Sequence, residues 1–387
     1  MIAYGIFSST DDHTPRVCAK IGSNIIDLNQ LCELGILNKV NQQYFMQDSL
    51  NEFIRQGYGF RKGVKHAVEG VLATIDKHPH SEQVNAVFAA NQVKLYMPVK
   101  VGGYTDFYAS KQHATNIGKI FRPDNPLMPN WVHMPIAYNG RASSVVASGH
   151  GVKRPQGQIL VDGKPQFEYC KKLDFEVELG IIIGQDSVLG EPITIENAKE
   201  HIFGVCIVND WSARDIQAWE YQPLGPFNSK SFLTSISSFI IPIEELDSYK
   251  IPAQTQDPTP LPYLVEKTPH SYDIRLEVKL ATAKYPEGIV VGCSNFKDIY
   301  WTMNQWITQH TVTGCNLKVG DLLASGTISG NDSSSLGSLM ELTINGKSSI
   351  QLPNGEMRTF LEDGDSVIIT GFCGSEVIGE VTGTIGI

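Results

Sequence analysis

The chain has 387 residues, a formal net charge of −10 and a hydrophobic content of 42%, which is the composition of an ordinary globular protein. It has no basic block suited to nucleic acid, no apolar run near the ~18 residues of a membrane span, and no signal-peptide pattern at its N-terminus. Its seven scattered cysteines form no C-x-x-C pair, which predicts reduced thiols in a cytoplasmic protein and disfavours a zinc site.

The first part of the chain differs from the rest in composition. Short strands flank a Gly-Ser-Asn turn at 22–24, and two helical patterns follow over Asn41–Gln56 and Lys62–Ile75. This part holds no cluster of convergent polar residues. Because 387 residues exceed the usual size of a single core, we predict an accessory or oligomer-forming domain over 1–95 and a larger domain over 96–387.

The larger part is rich in glycine, proline and short Val/Ile/Thr runs, which favour turns and strands over long helices. Two helices are nevertheless predicted. One opens with the capping-box pattern Ser212–Asp215, and a second covers Asn295–His310. The expected fold is therefore mainly β with some α.

An acidic strand lies in the middle of this part. Residues 174–179 alternate acidic and apolar side chains, which is the period of a half-buried strand, so Asp174, Glu176 and Glu178 are expected on one face. The apolar run Ile181–Ile183 indicates that the strand enters a buried sheet. Closely spaced buried carboxylates repel each other unless a cation or a shared proton intervenes, and the pattern predicts a metal site.

A second acidic element follows the apolar strand 203–208. Asp210 stands where this strand meets the predicted helix, a position that suits either a metal ligand or a simple helix cap. On the helix, Arg214, Gln217 and Tyr221 share one face. That face either binds an anionic, oxygen-rich substrate or is an exposed polar surface, and the pattern alone leaves both open.

Asp106 and His113 stand seven residues apart in a stretch that is predicted to be mostly loop. A lone histidine is usually structural, but Tyr108, Lys111 and Arg122 lie close to this one in the sequence. Such a group of polar side chains makes His113 a candidate for a functional site.

Two further candidates are Lys230 and Glu341. For Glu341 a strand is predicted in which Leu339, Glu341 and Thr343 share a face, and a surface position is favoured. The motifs of esterases, P-loop proteins and zinc proteases are absent from the sequence.

Long stretches of the chain resemble the fumarylacetoacetate hydrolase family. The matching segments are 105–108, 112–116, 127–131, 140–144, 209–217, 223–227, 314–317 and 320–330. The likeness is close over residues 100–387 and loose before them. It implies an N-terminal SH3-like β-barrel, a C-terminal β-roll of the family type, and a homodimer.

The resemblance also implies roles for individual residues. The Ca²⁺ or Mg²⁺ ligands would be Asp106, Glu176, Glu178 and Asp210, with Lys230 and Thr234 beside the metal. His113 would be the general base, oriented by Glu341. The oxyanion would be held by Arg214, Gln217 and Lys230, and the substrate by Tyr108, Arg122, Tyr221 and Thr327. Two positions depart from the family pattern, with Leu233 in place of a glycine and Asn139 in place of a histidine.

The expected activity is metal-dependent hydrolysis of a carbon–carbon bond in the β-diketone fumarylacetoacetate, which yields fumarate and acetoacetate at the end of tyrosine and phenylalanine breakdown. The alternative within the superfamily is an acylpyruvate or fumarylpyruvate hydrolase. A different class, a non-catalytic metal-binding scaffold, would have no need of His113, Glu341, Arg214 and Lys230 together.

Overall fold

A computed structural model describes residues 1–386. The elements up to residue 98 are β1 (Ile2–Ser9), β2 (Arg16–Ile21), β3 (Asn24–Asp27), α1 (Leu28–Glu33), α2 (Asn51–Arg55), α3 (Gly57–Lys77), β4 (Val87–Phe88) and β5 (Val93–Leu95). Helix α3 buries Val64, Val68 and Val71, which recur at the spacing of one helical face. These valines share a core with the strands β1 to β3.

The remaining elements are mostly strands. The strands are β6 (Tyr104–Phe107), β7 (Ala137–Asn139), β8 (Val145–Ala147), β9 (Val152–Lys153), β10 (Gln156–Val161), β11 (Lys164–Tyr169), β12 (Leu173–Asp174), β13 (Val177–Ile183), β14 (Ile202–Asp210), β15 (Ser212–Ala213), β16 (Thr234–Ile236), β17 (Phe239–Pro242), β18 (Lys250–Pro252), β19 (His270–Tyr272), β20 (Arg275–Thr282), β21 (Tyr285–Asn295), β22 (Leu322–Ala324), β23 (Ile350–Gln351), β24 (Met357–Arg358), β25 (Ser366–Cys373) and β26 (Glu376–Gly386). The helices are α4 (Lys111–Phe121), α5 (Arg214–Glu220), α6 (Asn228–Ser231), α7 (Met303–Thr311) and α8 (Leu339–Leu342). Within residues 1–386, no helix is long and apolar enough to cross a membrane.

A 13-stranded sheet forms the centre of the molecule. Its main path runs β4-β3-β2-β1-β17-β14-β13-β22-β6-β7. Strand β1 pairs antiparallel with β17, with Tyr4 opposite Ile240, so the N-terminal strands continue the sheet that carries the acidic residues. Gly5 permits this pairing, because a Cβ atom there would lie 2.8 Å from the ring of Phe239.

A second sheet has five strands in the order β21-β20-β25-β26-β9. Its neighbours pair antiparallel, except that β9 runs parallel to β26. The prediction of a mainly β fold with some helices is confirmed. The SH3-like barrel and the domain boundary at residue 95 stay predictions.

Strand β13 is buried on both faces, which fits its apolar run Ile181–Ile183. Ile181 and Ile183 pack into one core cluster, while Ile182 packs into the other, which is shared with the N-terminal strands. Strand β14 behaves in the same way, with Ile207 in the first cluster and Val208 in the second. Charged side chains on these two strands are therefore buried, because a hydrophobic core lies on each face of the sheet.

The N-terminal helix prediction was half right. Residues 62–75 lie inside α3, but 41–56 do not form one helix and contain only a 3₁₀ turn at Gln42–Tyr44 and the short α2. The reason is tertiary pairing of the backbone. Phe45 O accepts a hydrogen bond from Val17 N at 2.8 Å, and Leu50 N donates to Pro98 O at 2.8 Å.

The two predicted helices of the larger part begin later than expected. Ser212 lies in β15 and its Oγ donates to Asp210 O at 3.0 Å, so the predicted capping box is wrong and α5 starts at Arg214. The second helix is α7, and Asn295 is the last residue of β21. A true capping box at Thr302 and Gln305 sets the start of α7, because each side chain accepts from the other residue's backbone N–H.

Candidate active site

Four carboxylates meet at the end of the central sheet. Ligand oxygens of Asp106, Glu176, Glu178 and Asp210 all lie within 4.8 Å of one another, and all four residues are buried. Strand register explains the meeting. Glu178 lies opposite Val208 on the antiparallel β14, which ends at Asp210, and Asp106 lies beside Ala324 of β22, the other neighbour of β13. Glu176 precedes β13 and forms a single bridge to Ser338.

Glu178 has the least favourable environment for a charged carboxylate in this cluster. It is fully buried, and among the described residues neither of its carboxylate oxygens has a hydrogen-bond partner. Burial raises the pKa of Glu178 well above its ordinary value, and the charges of Asp106, Asp210 and Glu176 raise it further. Burial and Asp210 also raise the pKa of Asp106. Buried, unpartnered carboxylate oxygens at this spacing fit a hard divalent cation, for which oxygen ligands are preferred.

Two cationic side chains neutralise the other half of the cluster. Lys230 Nζ contacts Glu176 Oε2 and lies 2.6 Å from Asp210 Oδ2, and Arg214 Nη2 lies 2.8 Å from Glu176 Oε1. Burial opposes ionisation of Glu176, but Arg214 and Lys230 outweigh it, and the pKa of Glu176 is held far below its ordinary value. Glu176 is therefore an ionised link between the cations and the other acids.

Asp210 receives two hydroxyl donors besides Lys230. Thr234 Oγ1 donates to Oδ1 and Tyr138 Oη donates to Oδ2, each at 2.7 Å. Thr234 was predicted beside the metal, whereas Tyr138 was missed. The only signal for Tyr138 is its pairing opposite Asp106 on β6, which no local spacing in the sequence reveals.

His113 and Glu341 form a buried pair on the other side of the cluster. His113 Nδ1 lies 2.7 Å from Glu341 Oε2. His113 is in the first turn of α4, whose N-cap Ser110 accepts from His113 N at 3.3 Å. The expected loop around Asp106 and His113 is thus a strand followed by a helix. The predicted strand at Glu341 is also wrong, because Glu341 lies in α8 and is buried rather than on the surface.

The carboxylate of Glu341 is held by four donors. Besides His113, Ser329 Oγ and Ser338 Oγ donate to Oε2 at 2.8 and 2.9 Å, and Asn116 Nδ2 donates to Oε1 at 2.8 Å. Burial would raise the pKa of Glu341, but the charge of His113 and these hydrogen bonds lower it overall. Since an ionised Glu341 can only accept, Nδ1 of His113 carries a proton and donates it to Oε2, and Nε2 is the ring nitrogen that does not contact Glu341.

Asp106, Glu176 and His113 line a cavity of about 390 Å³, a size suited to a small organic substrate. Predicted site residues on its wall are Asp106, Tyr108, His113, Arg122, Glu176, Arg214, Gln217, Tyr221, Lys230 and Thr327. Arg122 Nε and Thr327 Oγ1 are buried and have no hydrogen-bond partner among the described residues. Polar groups left in this condition are free to bind a ligand.

The other predicted residues lie behind this wall. Glu178, Asp210, Thr234 and Glu341 support the lining groups and do not line the cavity. Asp174 is not one of the four clustered carboxylates, but Arg214 joins it to them, since Arg214 lies 2.8 Å from both Asp174 Oδ2 and Glu176 Oε1. Leu233 is in the main core cluster and Asn139 is exposed, so neither family departure lies on the cavity wall.

Comparison with known proteins agrees with this geometry. A model described as "Fumarylacetoacetase N-terminal" matches residues 2–98, and one described as "Fumarylacetoacetate (FAA) hydrolase C-terminal" matches residues 103–386. The fumarylacetoacetase of Homo sapiens is 45% identical over 380 residues, which cover 96% of this chain and 91% of that protein. The fumarylacetoacetase of Arabidopsis thaliana is 44% identical over 381 residues, with coverage of 96% and 90%.

Among solved structures, a fumarylacetoacetate hydrolase from the psychrophilic Exiguobacterium antarcticum matches 100% of this chain and 99% of its own, with a TM-score of 0.57. At 18% identity this is a likeness of fold. The two family models together span nearly the whole chain, and the relatives match over almost their full length. The chain therefore belongs to the fumarylacetoacetate hydrolase family.

Proposed function

We propose that this chain is a fumarylacetoacetase, which uses water to split fumarylacetoacetate into fumarate and acetoacetate. The observation that carries the proposal is the meeting of a buried four-carboxylate cluster with the His113–Glu341 pair at one cavity. The names of the full-length relatives support the choice of substrate.

The metal site is proposed to hold Ca²⁺ or Mg²⁺. Asp106, Glu176, Glu178 and Asp210 would supply the oxygen ligands, and the unpartnered oxygens of Glu178 support this assignment. A bound hard cation would supply Lewis-acid polarisation of the substrate's carbonyl oxygens. Lys230 and Thr234 would hold the ligands in place through Glu176 and Asp210, since an ammonium group has no lone pair to donate to a metal.

His113 is proposed as the general base. With Nδ1 donating to Glu341, the free Nε2 would take a proton from water, and the hydroxide oxygen would form a bond to the ketone carbon of the fumaryl group. Glu341 would orient the ring and stabilise the imidazolium, as the acid does in a catalytic triad. The rings of His113 and Tyr108 make a T-shaped contact with their centroids 5.3 Å apart, which supports a fixed position of the His113 ring.

Arg214, Gln217 and Lys230 are proposed to stabilise the oxyanion that forms on this carbon. Their polar groups line the same part of the cavity, and Arg214 Nη1 lies 3.1 Å from Gln217 Oε1. Fixed donors in a site closed off from water stabilise developing charge more than water does. The carbon–carbon bond then breaks, the electron pair leaves with the acetoacetate carbon, and that carbon takes up the proton held by His113.

Tyr108, Arg122, Tyr221 and Thr327 are proposed to bind the substrate. Arg122, whose buried Nε has no hydrogen-bond partner, would pair with a terminal carboxylate, and Thr327 Oγ1 would donate to a substrate oxygen. We also propose a homodimer, supported by solvent-exposed apolar side chains, namely Leu224 at 96%, Phe167 at 71% and Phe227 at 66% exposure.

A cytoplasmic location is proposed as well, and the seven unpaired thiols support it.

The test is the loss of fumarylacetoacetate absorbance, followed with and without a chelator. Rapid loss that stops on chelation and returns with added Ca²⁺ or Mg²⁺ is expected. An acylpyruvate and fumarylpyruvate panel under the same conditions separates the alternative hydrolases. Faster turnover of an acylpyruvate, or chelator-resistant turnover, would contradict the proposal. A metal-binding scaffold would bind the ion and turn over none of these compounds.

A further inference from the structure

Asp174 is a buried carboxylate that lies outside the four-carboxylate cluster and contacts two parts of the site. Its relative exposure is 0%. Oδ1 accepts from Phe175 N at 2.8 Å and Leu339 N at 2.7 Å, and Oδ2 accepts from Arg214 Nε at 2.8 Å and Met340 N at 3.0 Å. All four neighbours are donors.

Only a carboxylate satisfies this arrangement. An ionised aspartate offers acceptor sites on both oxygens and no donor. An asparagine of the same shape would turn its NH₂ group toward either Arg214 or a backbone N–H. One buried donor would then face another donor, and at least one hydrogen bond would be lost.

Three of the four donors belong to the two catalytic halves proposed above. Arg214 is one of the oxyanion-holding groups. Leu339 and Met340 are the first two residues of α8, a four-residue helix whose third residue is Glu341, the partner of His113. Asp174 therefore touches the oxyanion side directly and the base side through the backbone of α8.

We propose that Asp174 is a positioning residue that fixes Arg214 and the His113–Glu341 pair in one relative geometry. This inference rests on the proposed function. Asp174 contacts neither substrate nor water in this role. It sets the distance between His113, which accepts the proton, and Arg214, which stabilises the oxyanion. Catalysis is sensitive to such distances.

The chain contains a matched control for Asp174. Asp27, 2% exposed, accepts from Arg16 Nε at 2.7 Å through Oδ2. Its Oδ1 accepts from Asn29 N at 3.0 Å and Gln30 N at 3.2 Å, at the start of α1. Asp27 thus joins an arginine to a helix N-terminus as Asp174 does, but lies away from the cavity.

The experiment compares Asp174→Asn, Asp174→Glu and Asp27→Asn in the full-length, metal-loaded protein. Tm, divalent-metal affinity, KM and kcat are measured for each variant. We expect Tm to fall in all three. In the Asp174 variants we expect kcat to fall by about 10²-fold, the loss associated with a ~1 Å misplacement, with KM and metal affinity unchanged. Asp27→Asn should keep the wild-type kcat.

A second readout needs no substrate. The Nδ1 proton of His113, followed by NMR, reports the bond to Glu341 and is expected to shift in both Asp174 variants and to stay unchanged in Asp27→Asn. If the wild type fails to turn over fumarylacetoacetate, the proposed function falls and this readout still judges Asp174.

Folded Asp174 variants with wild-type kcat and an unshifted His113 proton would overturn the inference. A loss of kcat in Asp27→Asn equal to that in Asp174→Asn would do so as well. If both Asp174 variants fail to fold while Asp27→Asn folds, Asp174 belongs to the stability of the core and the inference is also overturned.

Discussion

His113 Nδ1 and Glu341 Oε2 lie 2.7 Å apart although 228 positions separate the two residues in the chain. Helix α4 supplies the histidine and helix α8 the glutamate, and four donors hold the carboxylate. The pair is therefore a product of tertiary packing, and Nε2 is the ring nitrogen of His113 that does not contact Glu341.

Replacing His113 should separate chemistry from metal binding. In His113→Ala we expect kcat to fall by about 10²–10⁴-fold, the usual contribution of a general base, while calorimetry shows unchanged affinity for Ca²⁺ or Mg²⁺. The exposed His133 provides a control, and His133→Ala should behave as wild type. Turnover close to wild type in His113→Ala would refute the base assignment.

Glu178→Gln should have opposite effects on the metal-free and metal-loaded protein. Glu178→Gln removes one of four mutually repelling buried acids. In thermal melts at neutral pH with a chelator present, the metal-free variant should therefore be at least as stable as metal-free wild type. The rise in Tm on adding Ca²⁺ or Mg²⁺ should shrink, because a proposed ligand is lost. The exposed Glu287→Gln serves as the control. An unchanged metal-induced rise in Glu178→Gln would show that this carboxylate does not bind the ion.

Tyr138→Phe tests the hydroxyl that the sequence did not single out. The change removes one donor to Asp210 and keeps the ring. Metal affinity measured by calorimetry should fall by about 10–100-fold, as for other groups that orient metal ligands. Tyr169 is half exposed on a hairpin, and Tyr169→Phe should leave affinity unchanged; equal effects in both variants would argue against a role for Tyr138.

Glu341 should make a pH-dependent contribution to stability. Its pKa is lowered from an ordinary value of 4.5, so the ionised form is favoured in the folded state. The resulting stabilisation is complete above that value and is lost as pH falls through the lower folded pKa. Urea unfolding of wild type and Glu341→Gln should give a difference in unfolding free energy that is constant near neutral pH and shrinks below pH 4.5. A difference that grows on acidification would contradict this sign.

Local patterns predicted the acids of the site better than their surroundings. The alternation over 174–179 and the apolar strand before Asp210 indicated Glu176, Glu178 and Asp210, because strand period and buried charge are both readable from neighbouring residues. Asp174 shares the alternation but not the cluster, since β12 ends at Asp174 and pairs with β15 rather than continuing into β13.

The remaining parts depended on long-range contacts. Glu341 was expected in a strand on the surface, but a short helix held by Asp174 and Ser338 buries it. Tyr138 reaches Asp210 only because β7 pairs with β6. Ser212 was expected to cap a helix and instead extends a strand pair. In each case contacts with residues far away in the sequence determine the local structure, and these contacts cannot be predicted from local propensity.

The pairing of β1 with β17 has a consequence for any shortened form of this protein. Strand β17 also neighbours β14, the strand that ends at Asp210. A fragment lacking the first 98 residues would remove the hydrogen-bond partner of β17 along one edge. It would also uncover Ile182, Phe203 and Ile240, which share a core cluster with the N-terminal residues. Since unpaired sheet edges tend to pair with other chains, we expect such a fragment to aggregate more readily than the full chain.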